Sequence, residues 1–253
     1  MPEAGSLVVA TFNIRNGLAL DGRNAWPLRR KSTLSSIRGL DADVVGLQEV
    51  FPWQLTYLRR GLDGYEAHGE GRSPGRQGEA CPVLLRSSRL RVEDARTRWF
   101  GPEPDRPGQR LPGASYPRIA TLVNAADPTA GDTFRVVNTH LDEHRPENRR
   151  AATAQLLGWL PPGEPLILLG DLNTTEDDDG VFSLVRDAGL GPVLPPDAGG
   201  TAHGFRGTGG RRIDHILVSP HWEVVEAEIV TVAPGRRLPS DHWPVRSVLR
   251  RRS

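Results

Sequence analysis

Short runs of β-branched and aliphatic residues recur along the whole chain, at 7–14, 44–48, 81–85, 119–124, 133–138, 166–169, 212–218, 224–232 and 245–249. Most are bounded by Gly, Pro, Asn or Asp, the residues that end strands. Helix-compatible stretches lie between them, at 28–40, 52–61, 147–160 and 180–188. Leu34, Ile37 and Leu40 in the first, and Ala151, Ala154 and Leu157 in the third, recur at helical spacing. No internal repeat or low-complexity linker interrupts the pattern. The Pro- and Gly-rich stretch 101–113 reads as a surface loop, because strand signals continue on both sides of it. The expectation is one mixed α/β domain over 1–253.

Polar residues fall at the ends of these runs. The first is apolar until Asn13, followed by Arg15 and Asn16. VVGL runs into Gln48-Glu49, and the run ending at Val137 continues as Asn138-Thr139-His140-Leu141-Asp142. LILL ends in Gly170-Asp171-Leu172-Asn173. Asp214 is embedded in the run 212–218, and Asp241-His242 precedes the last run. One carboxylate after a strand is ordinarily a cap or a turn residue. Repetition asks for more: strands that deliver Asn, Glu, His and Asp to one rim would line a cleft with metal ligands, acid–base groups and hydrogen-bond donors.

Composition bounds the partners. The net charge is +1, so phosphate recognition has to come from a local cluster and not from the overall field. Lys31 is the only lysine, leaving arginine to supply the other basic side chains, and Cys81 is the only cysteine. An intrachain disulfide and a cysteine-based zinc cluster are thereby excluded. No stretch has the pattern of a secretory leader or a membrane span, so a cytoplasmic location without membrane insertion is the expectation.

The ordered set TFNIR, LQEV, NTHLD, GDLN, RIDHILVS and SDHWPV resembles the endonuclease/exonuclease/phosphatase superfamily, and the resemblance runs from Thr11 to Val245. It implies a four-layer α-β-β-α sandwich, with two mostly antiparallel sheets face to face and helices outside. It also implies a Mg²⁺-dependent enzyme, with Mn²⁺ as a substitute. Glu49 matches the principal metal-ligating glutamate, with Asn13 and Asp241 contributing directly or through water, a donor set that suits a hard cation. Asp171 matches the general base or water-orienting residue, with Asn173 bonding the same water or a phosphate oxygen. His140 and His242 match the two histidines that hold the scissile phosphate as imidazolium donors. By family position Asp214 partners His242 and Glu79 partners His140.

Around this core, Arg118 in YPRIATLV resembles a phosphate-contacting arginine, and Arg149 is expected to face the same cleft. His203 and Phe205 are candidates for its substrate-binding walls. Trp26 reads as core. His215 has the opposite strand parity to Asp214 and should point away from the site. The implied activity is hydrolysis of a phosphoester by in-line attack of water. Balanced charge and short connections tilt the expected substrate toward a small phosphorylated molecule or a nucleotide, or a short single strand. A nuclease gripping DNA or RNA through Arg59-Arg60, Arg211-Arg212, Arg236-Arg237 and Arg250-Arg251-Arg252 is the alternative. A catalytically silent binding protein on the same fold is the second. A monomer is favoured, with the oligomeric state left open.

Overall fold

Strand parity organises the molecule. In β1 (Ser6–Asn13), Leu7 and Val9 enter one apolar cluster while Val8, Ala10 and Phe12 enter another, so each face of the strand is buried against a different layer. The computed structural model describes residues 5–233 and 237–252. In chain order its elements are β1, α1 (Trp26–Gly39), β2 (Val44–Gln48), α2 (Pro52–Arg59), β3 (Tyr65–His68), β4 (Gly71–Ser73), β5 (Gln77–Ala80), β6 (Val83–Arg86) and β7 (Arg91–Trp99). There follow β8 (Ile119–Asp127), β9 (Asp132–His140), α3 (Pro146–Gly158), β10 (Leu166–Asp171), α4 (Asp179–Asp187), β11 (Gly191–Pro192), β12 (Asp214–Val218), β13 (Trp222–Ile229) and β14 (Val245–Arg251).

The strands form two six-stranded sheets, ordered β13-β14-β1-β2-β6-β3 and β11-β12-β10-β9-β8-β7, and β4 pairs with β5 in a separate hairpin. All pairings are antiparallel except β1–β2 and β9–β10. Each parallel pair is joined through a helix, α1 or α3, as a crossover requires. Leu7, Val44, Val136, Ile167, Leu169, Ile216 and Val245 belong to one core between the sheets. Helices α1 and α2 cover the outer face of the first sheet through Trp26, Ile37, Leu40 and Leu58. The outer face of the second sheet is covered by α3 and α4 through Ala152, Leu156, Phe182 and Val185. Three apolar layers between four structural ones are the α-β-β-α sandwich, and Trp26 is core as expected.

The inter-sheet core carries a polar rung near one end. Gln48 Nε2 donates to Asn138 Oδ1 at 2.6 Å and to Thr11 Oγ1 at 3.0 Å, while Asn138 Nδ2 donates to the carbonyls of Leu47 and Pro82, each at 2.8 Å. Gly46 makes room for it: a Cβ there would sit 2.9 Å from the Asn138 carboxamide.

Several strands are not apparent in the residue pattern. β7, with the sequence RVEDARTRW, is an edge strand paired only with β8, and most of its residues are exposed. It therefore needs no apolar face along most of its length. β3 and β11 are short edge strands, and β4 and β5 form a short separate hairpin, so none of them carries an apolar run. The stretch 101–113 is a tied loop: Gly101 exchanges hydrogen bonds with the Gln155 carboxamide and Trp99 N–H donates to Pro104. No helix among the described residues is long and apolar enough to cross a membrane.

Candidate active site

The residues that face the other sheet keep doing so after the apolar side chains run out. Asn13 continues Leu7-Val9-Thr11; His140 continues Phe134-Val136-Asn138; Asp171 continues Ile167-Leu169; Asp214 precedes Ile216-Val218 on the same face. Pairing aligns them, because Asp171 lies opposite His140 on one side and Asp214 on the other. In the first sheet Asn13 lies opposite Gln48, and Thr11 opposite Val245, which brings the 240–242 turn to the same rim. Two residues past strand ends, Glu49 and Asn173, have φ of 62° and 52°, as does Arg15 at 56°. These left-handed conformations are strained for side chains with a Cβ, and strain of this kind collects where geometry is fixed for function. Gly170 is required on steric grounds, since a Cβ there would lie 2.3 Å from the Thr139 carbonyl oxygen.

A cavity of about 630 Å³ opens at this rim, and Glu49, His140, Asp171, Asn173 and His242 all line it. Asn13 joins two of the carboxylates, donating through Nδ2 to Glu49 Oε1 and to Asp171 Oδ2, both at 2.9 Å. Asp171 Oδ1 accepts the Asn173 backbone N–H at 2.9 Å, and His140 Nε2 stands 3.6 Å from Asp171 Oδ2. His242 Nδ1 is 2.8 Å from Asp214 Oδ2 and 3.9 Å from Asp171 Oδ2.

The electrostatics separate these groups. Burial opposes the His242 cation, but Asp214, Asp171 and Asp241 outweigh it and push its pKa up to about 10. Burial, with the charge of Asp214, lifts Asp171 to about 7. Burial acts against the Glu49 carboxylate too, yet hydrogen bonds from Asn13 and the Asn16 N–H, with His242 and Arg15 nearby, hold it below its ordinary range. His140 goes the other way: burial, then the cations Arg118, Arg72 and His242, hold it well below its ordinary value and so neutral.

Two donor sets could hold a cation. Glu49 is ionised and lines the cavity, with oxygen chemistry that a hard divalent ion accepts. Asp241 sits 3.6 Å from Arg15 and accepts the Ser240 hydroxyl, and Asn13 Oδ1 accepts the Arg15 N–H, so Asn13 orients its neighbours directly. Asp171, Asp214 and His242 are close enough to share an ion, their ligand atoms lying within 4.8 Å of one another. There the imidazole nitrogen is already occupied by a proton shared with Asp214. The Glu49 side therefore fits a Mg²⁺-like ion better.

Several expectations change. Glu79 does not partner His140; it pairs with Arg72 at 2.8 Å, and His140 instead has Asp171 nearby. Burial, with the cations Arg118, Arg72 and His242, disfavours the imidazolium expected at His140. Arg149 is buried beneath the turn before α3, bonded to the Asp142 carbonyl and facing Asp178, and does not line the cavity. His203 is fully buried behind the 241–242 turn, its ring tilted against Trp243 with Nδ1 accepting from Gly207 N–H. Phe205 lies under the Arg29 guanidinium and also does not line the cavity. Arg118 does line it, buried and paired with Glu143. His215 points to the helical layer as its parity requires, bonded to the Thr174 carbonyl and packed on Phe182. The arginines at 250–252 lie at the far end of the first sheet, Arg250 opposite Ser6, about 23 Å along β1 from Asn13. Arg236 lies outside the described residues.

Arg72 and Tyr116, which line the cavity, carry no signal in the ordered motifs, and neither does Arg29. Arg29 is fully buried on α1, and its guanidinium donates to the carbonyls of Ile14, Arg15, Asn24 and Pro239 at 2.7–3.0 Å. It ties the segment after β1 to the one before Asp241. Its signal was its place on the stripe Trp26, Arg29, Thr33, Ile37, which is the buried face of α1.

The architecture recurs in solved structures. An endonuclease/exonuclease/phosphatase from Bacteroides vulgatus is 30% identical, with 98% of this chain and 99% of that one covered at a TM-score of 0.89. A mannosyl-6-phosphatase from Bacteroides thetaiotaomicron is 26% identical, with 96% and 99% covered and a TM-score of 0.87. The D. rerio protein TDP2, in complex with a single-strand DNA product, shares the fold at 18% identity, 96% and 98% coverage and a TM-score of 0.74. A search of the curated proteins finds no match. The sequence model of the Endonuclease/Exonuclease/phosphatase family matches residues 10–242, which includes every strand end that reaches the cavity. On that match, and on a rim whose side chains follow from strand parity, the chain belongs to the endonuclease/exonuclease/phosphatase family.

Proposed function

We propose that the chain is a divalent-metal-dependent hydrolase of a small phosphorylated molecule, acting by in-line attack of water on phosphorus. The observation that carries this reading is the surroundings of Asp171. Its carboxylate is fixed by Asn13 and by the Asn173 N–H, lines the cavity, and has a pKa of about 7, suited to taking a proton from water near neutral pH. His242, cationic through its pairing with Asp214, donates to a phosphoryl oxygen as charge builds there. Neutral His140 donates a second, weaker hydrogen bond. Glu49 would hold the ion, with Asp241 alongside; when bound, the ion neutralises charge on the phosphoryl group.

A small substrate is supported by the cavity, whose size is in the range of small-molecule sites. A polymer-gripping role gains nothing from the arginines at 250–252, which lie at the other end of the sheet. The test is a hydrolysis screen with Mg²⁺ and with Mn²⁺, setting p-nitrophenyl phosphate, bis-p-nitrophenyl phosphate, nucleotides, sugar phosphates and plasmid DNA side by side, with EDTA as blank. Metal-dependent release from a small phosphoester supports the reading. Cleavage of plasmid alone overturns the substrate class, and release that EDTA leaves untouched overturns the metal dependence.

A further inference from the structure

β3 and β6 are antiparallel neighbours, and a tight turn would suffice to join them. The chain instead makes an excursion over residues 69–82 that contains the β4–β5 hairpin. The excursion is pinned. The Arg72 carbonyl accepts the Trp99 indole N–H at 2.7 Å, Glu70 N–H donates to Thr97 Oγ1, and Ala80 exchanges backbone bonds with Val50. Its effect is to bring Arg72, Ser73 and Glu79 to the cavity, beside Tyr116.

The charges on this side are already matched. Arg72 Nη1 lies 2.8 Å from Glu79 Oε2 with both side chains mostly buried, and Arg118 is paired with Glu143. A second phosphate would call for cations without such partners. What the hairpin presents instead is a planar donor and a planar acceptor side by side and held in place. A hydroxyl both donates and accepts, so adjacent hydroxyls can each give a hydrogen to the carboxylate and receive one from the guanidinium. Arg72 lies over the Tyr116 ring at 4.8 Å, and Tyr116 is 52% exposed, leaving aromatic surface for the C–H face of a saturated ring.

We propose that the Arg72–Glu79–Tyr116 side of the cavity is a subsite for an uncharged, polyhydroxylated ring, so that the preferred substrate is a sugar monophosphate. The inference rests on the hydrolase reading above and adds to it the group that carries the phosphate. Such a pair discriminates through the N–H groups and lone pairs that its own ion pair does not use, since a ligand without hydroxyls displaces water from them without replacing its hydrogen bonds.

The experiment compares kcat/KM for aldohexose 6-phosphates, hexose 1,6-bisphosphate, nucleoside 5′-monophosphates and p-nitrophenyl phosphate, in the Mg²⁺-loaded 253-residue chain and in its Arg72→Met and Tyr116→Ala forms. A hexose 6-phosphate is expected to exceed the nucleotides and the bisphosphate by about tenfold or more. Both substitutions are expected to lower the ratio of hexose phosphate to p-nitrophenyl phosphate activity by about tenfold, on the scale of a lost polar contact in a site. Tyr116 is half-exposed, so its replacement keeps the test informative if Arg72→Met does not fold. Preference for a nucleotide or the bisphosphate, or a ratio that neither substitution moves, would overturn the proposal. Hydrolysis of p-nitrophenyl phosphate without any of the sugar phosphates would sink this inference alone, whereas no hydrolysis of any phosphoester would sink the hydrolase reading beneath it.

Discussion

The imidazole of His242 and the carboxylate of Asp214 meet at 2.8 Å from elements of opposite sheets, Asp214 at the start of β12 and His242 in the turn that leads into β14. The pair closes the rim of the sandwich and fixes a positive charge there. Replacing Asp214 by Asn removes the charge that outweighs burial at His242 and part of what raises Asp171. Both pKa values then fall. The pH profile of kcat/KM for Asp214→Asn should move to lower pH on both limbs, with a lower maximum.

The wild-type profile follows from the same two groups. Asp171 must be ionised to accept a proton, so activity rises with pH through about 7. His242 must be protonated to donate, so activity falls above about 10. A plateau between these values is expected, its limbs belonging to the coupled set of groups. A single rising limb with no alkaline fall would remove His242 from the donor role.

Arg29 should matter without touching substrate. Arg29→Met leaves buried carbonyls of Ile14, Arg15 and Pro239 without donors, at a cost of about 2–4 kcal/mol in thermal or urea unfolding. Because it joins the two segments that carry Asn13, Arg15 and Asp241, the variant should also need more Mg²⁺ for half-maximal activity. Arg29→Lys, which keeps the charge but loses the planar fork, should recover little of either.

His215 provides the contrast. It adjoins Asp214 in sequence, yet burial lowers its pKa to about 4 and its ring faces α4. His215→Gln should lose about 1 kcal/mol of stability through packing and keep kcat/KM within a few-fold of wild type. A loss of a hundredfold or more would mean that strand parity does not separate structural from reacting residues here.

Much of the site was legible because polar residues close the apolar runs and the ordered motifs they form resemble those of the family. Asn13, His140, Asp171 and Asp214 stand in such motifs, and the structure shows each on the strand face set by its apolar residues. Glu79, Arg149, His203 and Phe205 were not legible, because they lie in turns, a helix start and a hairpin, where no period fixes the direction of a side chain. The edge strand β7 escaped because an edge needs no continuous apolar face. Arg29 stands beside other basic residues in the stretch 28–40, and only the packing of α1 shows that the stripe of buried residues includes it.

The most direct test of the account is Asp171→Asn, measured for activity and stability together. A buried carboxylate whose folded pKa is raised to about 7 favours the native state only at low pH, and that contribution is lost as pH rises from the unfolded value through 7. At pH 8 the native state therefore carries an ionised Asp171 at a cost in stability. Asp171→Asn is expected to lower kcat/KM for the phosphoester by about 10²–10⁴ and to raise Tm at pH 8. Wild-type-like activity, or an activity loss accompanied by a lower Tm, would contradict it.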